Sequence, residues 1–268
     1  MIGIFDSGIG GLSVLRPLRD LLPHEPLIYV ADQAHVPYGA RPPAEICALS
    51  EAITRFLLAQ GAELVVVACN TATAAALTHL RAVFPDVPFV GMEPAVKPAA
   101  RLTKTGVVGA LATANTFKSQ RYASLLARFA EGVRLVENPC VGLVERIERG
   151  ELATAETETF LRAILEPMLA EGVDVLILGC THYPFVRPLL ERIAGPEVVL
   201  VDPAPAVAQQ VARLLGRGVE EPLTAYGLQL TAYTTAEPER LHTQIQDLLG
   251  WDVPTLHVEL TIAHQNSG

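Results

Sequence analysis

"GAELVVVACNTATAAA", residues 61–76, decides the architecture. A glycine, an alanine and an acidic residue lead into four apolar residues, Leu64 to Val67. Ala68, Cys69, Asn70 and Thr71 come next, and an alanine-rich run follows. A short unbroken Val/Leu run between turn residues reads as a strand buried on both faces, and such strands belong to parallel sheets covered by helices. The alanine-rich run reads as one covering helix. The phrase returns at residues 172–182 as "GVDVLILGCTH". Gly172 answers Gly61, Asp174 answers Glu63, four apolar residues answer four, and Cys180 answers Cys69. Each cysteine stands eight positions after its glycine, and 111 positions separate the two.

Outward from these phrases, strands and helices alternate. "MIGIFD", "PLIYVAD", "AELVVVACN" and "VPFVGM" read as a first set of strands. Helices over "GLSVLRPLRDLLP", "PAEICALSEAITRFLLAQG" and "TATAAALTHLRAVFP" separate them. A second set follows in "TGVVGALAT", "VRLVENP", "VDVLILGC" and "EVVLVDPA", with helices over "SQRYASLLARFAEG", "ETFLRAILEPMLAEG" and "PFVRPLLERIAG". Beyond Asp202 come a helix "AVAQQVARLLGRG", a strand "LQLTAYTT" and a helix "AEPERLHTQIQDLLG". The pattern predicts an α/β fold of two similar lobes, each a mostly parallel sheet flanked by helices, with the active site in the cleft between them. Residues 1–97 with about 207–260 form the first lobe in this reading, 98–206 the second, and 261–268 a polar tail. The crossing is placed in "EPAVKPAARLTKT", Glu93–Thr105, on account of its two prolines.

Composition narrows the partners. The chain has 268 residues, half of them hydrophobic, and a mean hydropathy of +0.32, which suffices for a sizeable core and excludes disorder. Its apolar runs fall short of the ~20 residues that a membrane helix needs. The opening "MIGIFDSGIGG" carries no basic leader or cleavable apolar segment, so a cytoplasmic protein is expected. Twenty Lys and Arg against 29 Asp and Glu leave a net charge of −9, with no basic cluster, which argues against nucleic acid. The four cysteines, Cys47, Cys69, Cys140 and Cys180, include no Cys-x-x-Cys pair.

In open parallel sheets, ligands bind beyond the C-terminal strand ends. Cys69, Cys180, Asp6 with Ser7, and Asp32 all fall there. Asn70-Thr71 and Thr181-His182 stand where helices begin. Free backbone N–H groups there hold carboxylates or phosphates, and Asn and Thr also serve simply as caps. Two thiols on similar lobes suit proton transfer at a carbon centre, one on each face. A thiol with a pKa of about 8.5 both accepts and donates a proton near neutrality. Asp6 and His182 are candidates to relay or orient that proton, and His182 reads equally as a histidine satisfied by backbone at a helix start. "FDSGIGG" adds Ser7 and close-approach glycines, and "PYGARP" offers Tyr38 and Gly39 in a turn with a hydroxyl.

Other chemistries fit less well. "GIGGLS" followed by Asp32 has the look of a dinucleotide fingerprint, but Ser13 holds the third glycine position. Lys97, Lys104 and Lys118 are the only lysines, and none ends a candidate strand, which argues against pyridoxal phosphate. A metal set of Cys69, Cys180, His182 and Asp6 lacks any ligand pair at the usual spacing. A non-catalytic two-lobed binding protein explains the helix starts but not the matched cysteines.

"GIFDSGIGGLSV", "VPYG", "ACNTATA" and "GCTHYP", in this order over residues 1 to about 258, resemble the glutamate racemases of the cofactor-independent aspartate/glutamate racemase superfamily. The resemblance implies interconversion of L- and D-glutamate with no cofactor and no metal. It implies that Cys69 and Cys180 carry the proton on the two faces, assisted by Asp6, His182 and Glu148. The implied substrate-holding pairs are Asp6-Ser7, Tyr38-Gly39, Asn70-Thr71 and Thr181-His182. It further implies supply of D-glutamate for peptidoglycan, a homodimer and a cytoplasmic location. The sister activity on aspartate is the nearest alternative. The chain departs from the family where a proline and an aromatic-Val pair commonly follow the cysteine at 140, for Val141-Gly142-Leu143-Val144 stand here. From the residues alone, Glu148 in "ERIERGE" reads equally as part of a solvated helix face.

Overall fold

The central apolar runs, Ile2–Asp6, Leu27–Ala31, Leu64–Val67 and Val175–Gly179, become strands that are buried along their length, as parallel pairing under two layers of helices requires. The computed structural model describes residues 1–216 and 229–262. From the N-terminus come β1 (Ile2–Asp6), α1 (Leu12–Leu21), β2 (Leu27–Ala31), α2 (Pro43–Ala59), β3 (Leu64–Val67), α3 (Asn70–Val83) and β4 (Phe89–Gly91). Then follow α4 (Val96–Leu102), β5 (Val107–Ala112), α5 (Ala114–Phe117), α6 (Gln120–Phe129), β6 (Arg134–Asn138), α7 (Leu143–Glu148), α8 (Ala155–Ala170), β7 (Val175–Gly179), α9 (Arg187–Ala194) and β8 (Val199–Val201). The chain closes with α10 (Ala204–Leu214), β9 (Leu230–Thr234), α11 (Pro238–Leu249) and β10 (Thr255–His257). Two 3₁₀ turns, Tyr38–Ala40 and Tyr183–Val186, interrupt the loops.

The chain divides into two compact units, Met1–Met92 with Pro205–Gly268, and Glu93–Ala204. These divisions lie a few residues from 97/98 and 206/207. The first division falls at the start of the segment 93–105, where the crossing is expected. That segment contains α4, whose Val96 and Ala99 are buried in the core of the second unit. Pro98 is tolerated because it lies in the first turn, where its missing N–H has no helical acceptor to lose. Of the polar tail expected at 261–268, residues from 263 onward lie outside the described residues. So do Arg217 and Gly218 of the expected "AVAQQVARLLGRG" helix and Leu228 of "LQLTAYTT".

In the first unit the six strands run in the order β10-β9-β2-β1-β3-β4, and every pair is parallel. The second unit has a four-stranded parallel sheet in the order β6-β5-β7-β8. Taken by position in the chain, β2-β1-β3-β4 and β6-β5-β7-β8 are one arrangement used twice. The duplication read in the two cysteine phrases therefore extends to four strands of each sheet. In both, the first strand sends its connection to one side, and the next crossover returns to the other. Such a reversal opens a crevice at the C-terminal ends of the two central strands.

The cores follow from strand alternation. In the first unit Phe5, Val30, Val65 and Val67 pack with Ile53, Leu57 and Leu80 of α2 and α3. In the second, Val108, Ala110, Val175 and Ile177 pack with Ala99, Tyr122 and Leu125 of α4 and α6. No helix among the described residues is long and apolar enough to cross a membrane.

Candidate active site

In the first unit, the crevice between β1 and β3 receives Asp6 from one strand end and Cys69 from just past the other. Phe5 pairs with Val67, and the Ala68 N–H donates to the Phe5 carbonyl at 2.8 Å, so the two ends are held level. Asp6 is fully buried; its Oδ1 accepts the Gly8 N–H at 2.8 Å, and the Ser7 hydroxyl lies 3.4 Å away. The start of α1 crowds this carboxylate. A Cβ on Gly11 would lie 2.9 Å from the Asp6 Cβ and 2.8 Å from the Tyr29 ring, so only glycine fits.

The cap of α3 differs from the sequence expectation. β3 ends at Val67, and Cys69, not Asn70, is the N-cap, its Sγ accepting the Ala72 N–H at 3.4 Å. A backbone donor at a helix N-terminus favours the thiolate. The Ser7 hydroxyl stands 3.9 Å from the same sulfur. Asn70 is the first residue of the helix, is buried, and neither of its side-chain amide atoms has a partner among the described residues. A buried amide without partners is costly. Thr71 is buried beside it.

Tyr38 and Gly39 occupy the 3₁₀ turn after β2, with Tyr38 buried in the same cluster as Cys69. Its hydroxyl donates to Asp32 at 2.5 Å. Burial first, then the Asp32, Cys69 and Asp6 charges, push the phenol well above its ordinary range, so it keeps its proton. Asp32, whose position argues weakly for a dinucleotide fingerprint that Ser13 speaks against, has its side chain taken up by hydrogen bonds within the unit.

In the second unit, Cys180 follows β7 at the matching crevice and is buried. Its Sγ lies 3.8 Å from His182 Nδ1, and His182 Nε2 lies 2.8 Å from Glu148 Oε1. In the tautomer that donates Nε2–H to Glu148, Nδ1 carries the lone pair that accepts the thiol proton. His182 and Glu148 are both nearly inaccessible, at 2% and 4%, so Glu148 is not on a solvated face. It ends α7, a helix of six residues entered through Cys140 at φ 45° and Gly142 at φ 95°. Thr181 is buried beside them. No α-helix starts at Thr181-His182. The 3₁₀ turn Tyr183–Val186 intervenes before α9 because Pro184 and Pro188 remove N–H donors.

The other cysteines stand apart from this chemistry. Burial pushes the Cys140 thiol up to about 12, and Cys47 donates to the Ala75 carbonyl from α2. Among the described residues, no cluster of three or more His, Cys, Asp or Glu side chains is arranged to hold a metal ion. Each unit thus presents one buried thiol at a sheet's switch point, with its own polar company. Sequence reasoning missed Thr235 as a partner of Asp32, since 203 residues separate them and only the pairing of β9 with β2 brings them together.

Known proteins resemble this chain in sequence and fold. The Asp/Glu/Hydantoin racemase family matches residues 12–211. A glutamate racemase of Ectopseudomonas mendocina (strain ymp) is 53% identical over 250 residues, covering 93% of this chain and 94% of that one. The crystal structure of Escherichia coli glutamate racemase in complex with L-glutamate and the activator UDP-MurNAc-ala superposes with a TM-score of 0.84. The two are 35% identical over 97% of this chain and 98% of the other. Glutamate racemase from Francisella tularensis in complex with D-glutamate gives a TM-score of 0.80 at 28% identity, covering 97% and 96%.

Proposed function

The chain belongs to the Asp/Glu/Hydantoin racemase family, and from that premise we propose that it interconverts L- and D-glutamate by two-cysteine 1,1-proton transfer. It is a racemase, an isomerase. One thiol acts as thiolate and removes the α-proton, while the other acts as thiol and returns a proton on the opposite face. The roles exchange for the reverse direction. The observation that carries the reading is the pair of matched sites: Cys69 and Cys180 at corresponding switch points of two sheets that share a four-strand arrangement.

The residues around each thiol divide the work. The Ala72 N–H donates to the Cys69 sulfur, while the Cys69 thiol donates to Ser7 Oγ and the Ser7 hydroxyl faces Asp6. At Cys180 the His182–Glu148 pair supplies the base. Asn70, Thr71, Thr181, Ser7 and the Tyr38-Gly39 turn hold the substrate, by polar groups rather than a basic patch. This explains how a chain of net charge −9 takes a substrate with two carboxylates. The scheme requires no pyridoxal phosphate and no metal. The same reading includes a cytoplasmic homodimer that supplies D-glutamate for peptidoglycan, and complementation of a bacterial strain dependent on added D-glutamate tests that role.

Incubation with L- or D-glutamate in deuterium oxide is the test. Deuterium at the α-carbon and loss of optical rotation are expected with both enantiomers. Binding without exchange would point to a binding protein, and turnover of aspartate alone would overturn the substrate. Cys69→Ser and Cys180→Ser should each cost about 10²-fold or more in racemisation, the scale of losing a general acid or base.

A further inference from the structure

Asp32 has no part in the racemase reading, yet few side chains in the first unit are as closely held. It is fully buried at the end of β2. Its Oδ2 accepts the Tyr38 hydroxyl at 2.5 Å, and its Oδ1 accepts the Thr235 hydroxyl at 2.8 Å and lies 2.7 Å from His35 Nδ1. Its backbone N–H donates to the Asp6 carbonyl at 3.0 Å. One residue therefore joins the Asp6 strand end, the turn bearing Tyr38, and the segment after β9. A buried carboxylate is stable only when it is partnered in this way.

The direction of the Tyr38 bond has a chemical consequence. A phenol has one proton to give, and a carboxylate can only accept. With that proton committed to Asp32, the Tyr38 oxygen offers acceptance alone to any other group. An amino-acid substrate carries a donor, its α-ammonium, and acceptors, its carboxylates. A proton-committed phenol suits the first and repels the second.

We propose that Asp32 is a positioning residue that holds Tyr38 as an acceptor for the substrate's α-ammonium. The inference rests on the reading that the Tyr38-Gly39 turn touches the substrate. Asp32 acts through Tyr38 and does not itself meet the substrate.

The test combines a double-mutant cycle with a ligand that lacks the ammonium. Asp32→Ala and Tyr38→Phe are each expected to raise KM for both glutamate enantiomers about tenfold, with kcat changed less than threefold. The double variant should lose no more than Tyr38→Phe alone, because Asp32 has nothing left to orient. Asp32→Asn keeps a carbonyl acceptor for the phenol and should recover to within threefold of the parent KM. Glutarate, which has both carboxylates and no ammonium, should inhibit the parent, Asp32→Ala and Tyr38→Phe proteins with the same constant. Multiplied losses in the double variant would overturn the proposal, as would parallel weakening of glutarate. A fall in kcat at constant KM would do the same. If thermal melting shows that Asp32→Ala is unfolded, Asp32→Leu completes the cycle without leaving a cavity. If the parent protein fails to racemise glutamate, the function falls; failure of the cycle in an active enzyme removes only the role of Asp32.

Discussion

Cys69 and Cys180 carry the same side chain in different company. A hydroxyl and a helix N–H stand by the first, and an imidazole backed by a carboxylate stands by the second. Cys140 is the informative contrast. It is buried, and its thiol is raised to about 12, so in the folded protein it is a thiol at any pH near neutrality. Iodoacetamide at pH 8 should leave Cys140 unmodified in the folded state and label it after denaturation; labelling at the native rate of an exposed thiol would contradict this. The linkage has a definite sign. A raised folded pKa means that the folded chain keeps a proton that the unfolded chain releases above about 8.5. The associated stability is present below that value and is lost as pH climbs toward about 12. Cys140→Ala should therefore flatten the alkaline decline in melting temperature between pH 8.5 and the limit of the measurement.

At the scale of elements, the sequence is most legible where burial is continuous. β1, β2, β3 and β7 are unbroken apolar runs, and each lies where the runs predict. Short elements are different. α7 has six residues and β10 three, too few for periodicity to register, and α4 hides behind two prolines. Glu148 depends on α7, which is why the residue pattern alone left its place open while the packed structure buries it against His182. The role of Asp32 is illegible for a related reason: its partner Thr235 follows a strand paired across the sheet, which no local pattern records. The end of β7 also carries a sharp constraint. A Cβ at Gly179 would lie 2.9 Å from the Leu111 carbonyl oxygen and 2.9 Å from the Ala112 Cβ, so backbone must yield. Gly179→Ala should cost about 1–3 kcal/mol in urea unfolding, the usual range for overpacking. It should also lower activity more than the lost stability explains, because Cys180 is the next residue.

At the scale of the whole molecule, one unit is continuous in the chain and the other is assembled from both ends. β9 pairs with β2 from Leu230 opposite Leu27 to Thr234 opposite Ala31, so the C-terminal segment completes the first sheet. Truncation after Ala204 should abolish cooperative unfolding of the first unit while the fragment retains the melting transition of the second. A single undiminished transition would argue against this division. The unequal surroundings of the two thiols have a final thermodynamic consequence. Enantiomers have equal free energies in water, so a racemisation has an equilibrium constant of one. The two values of kcat/KM must then be equal, however differently Cys69 and Cys180 are supported. Glu148→Gln should lower both efficiencies by one common factor while shifting the two kcat values unequally, each offset by its own KM. The asymmetry of the site is thereby confined to how saturated the enzyme becomes with each enantiomer, and it cannot bias which one accumulates.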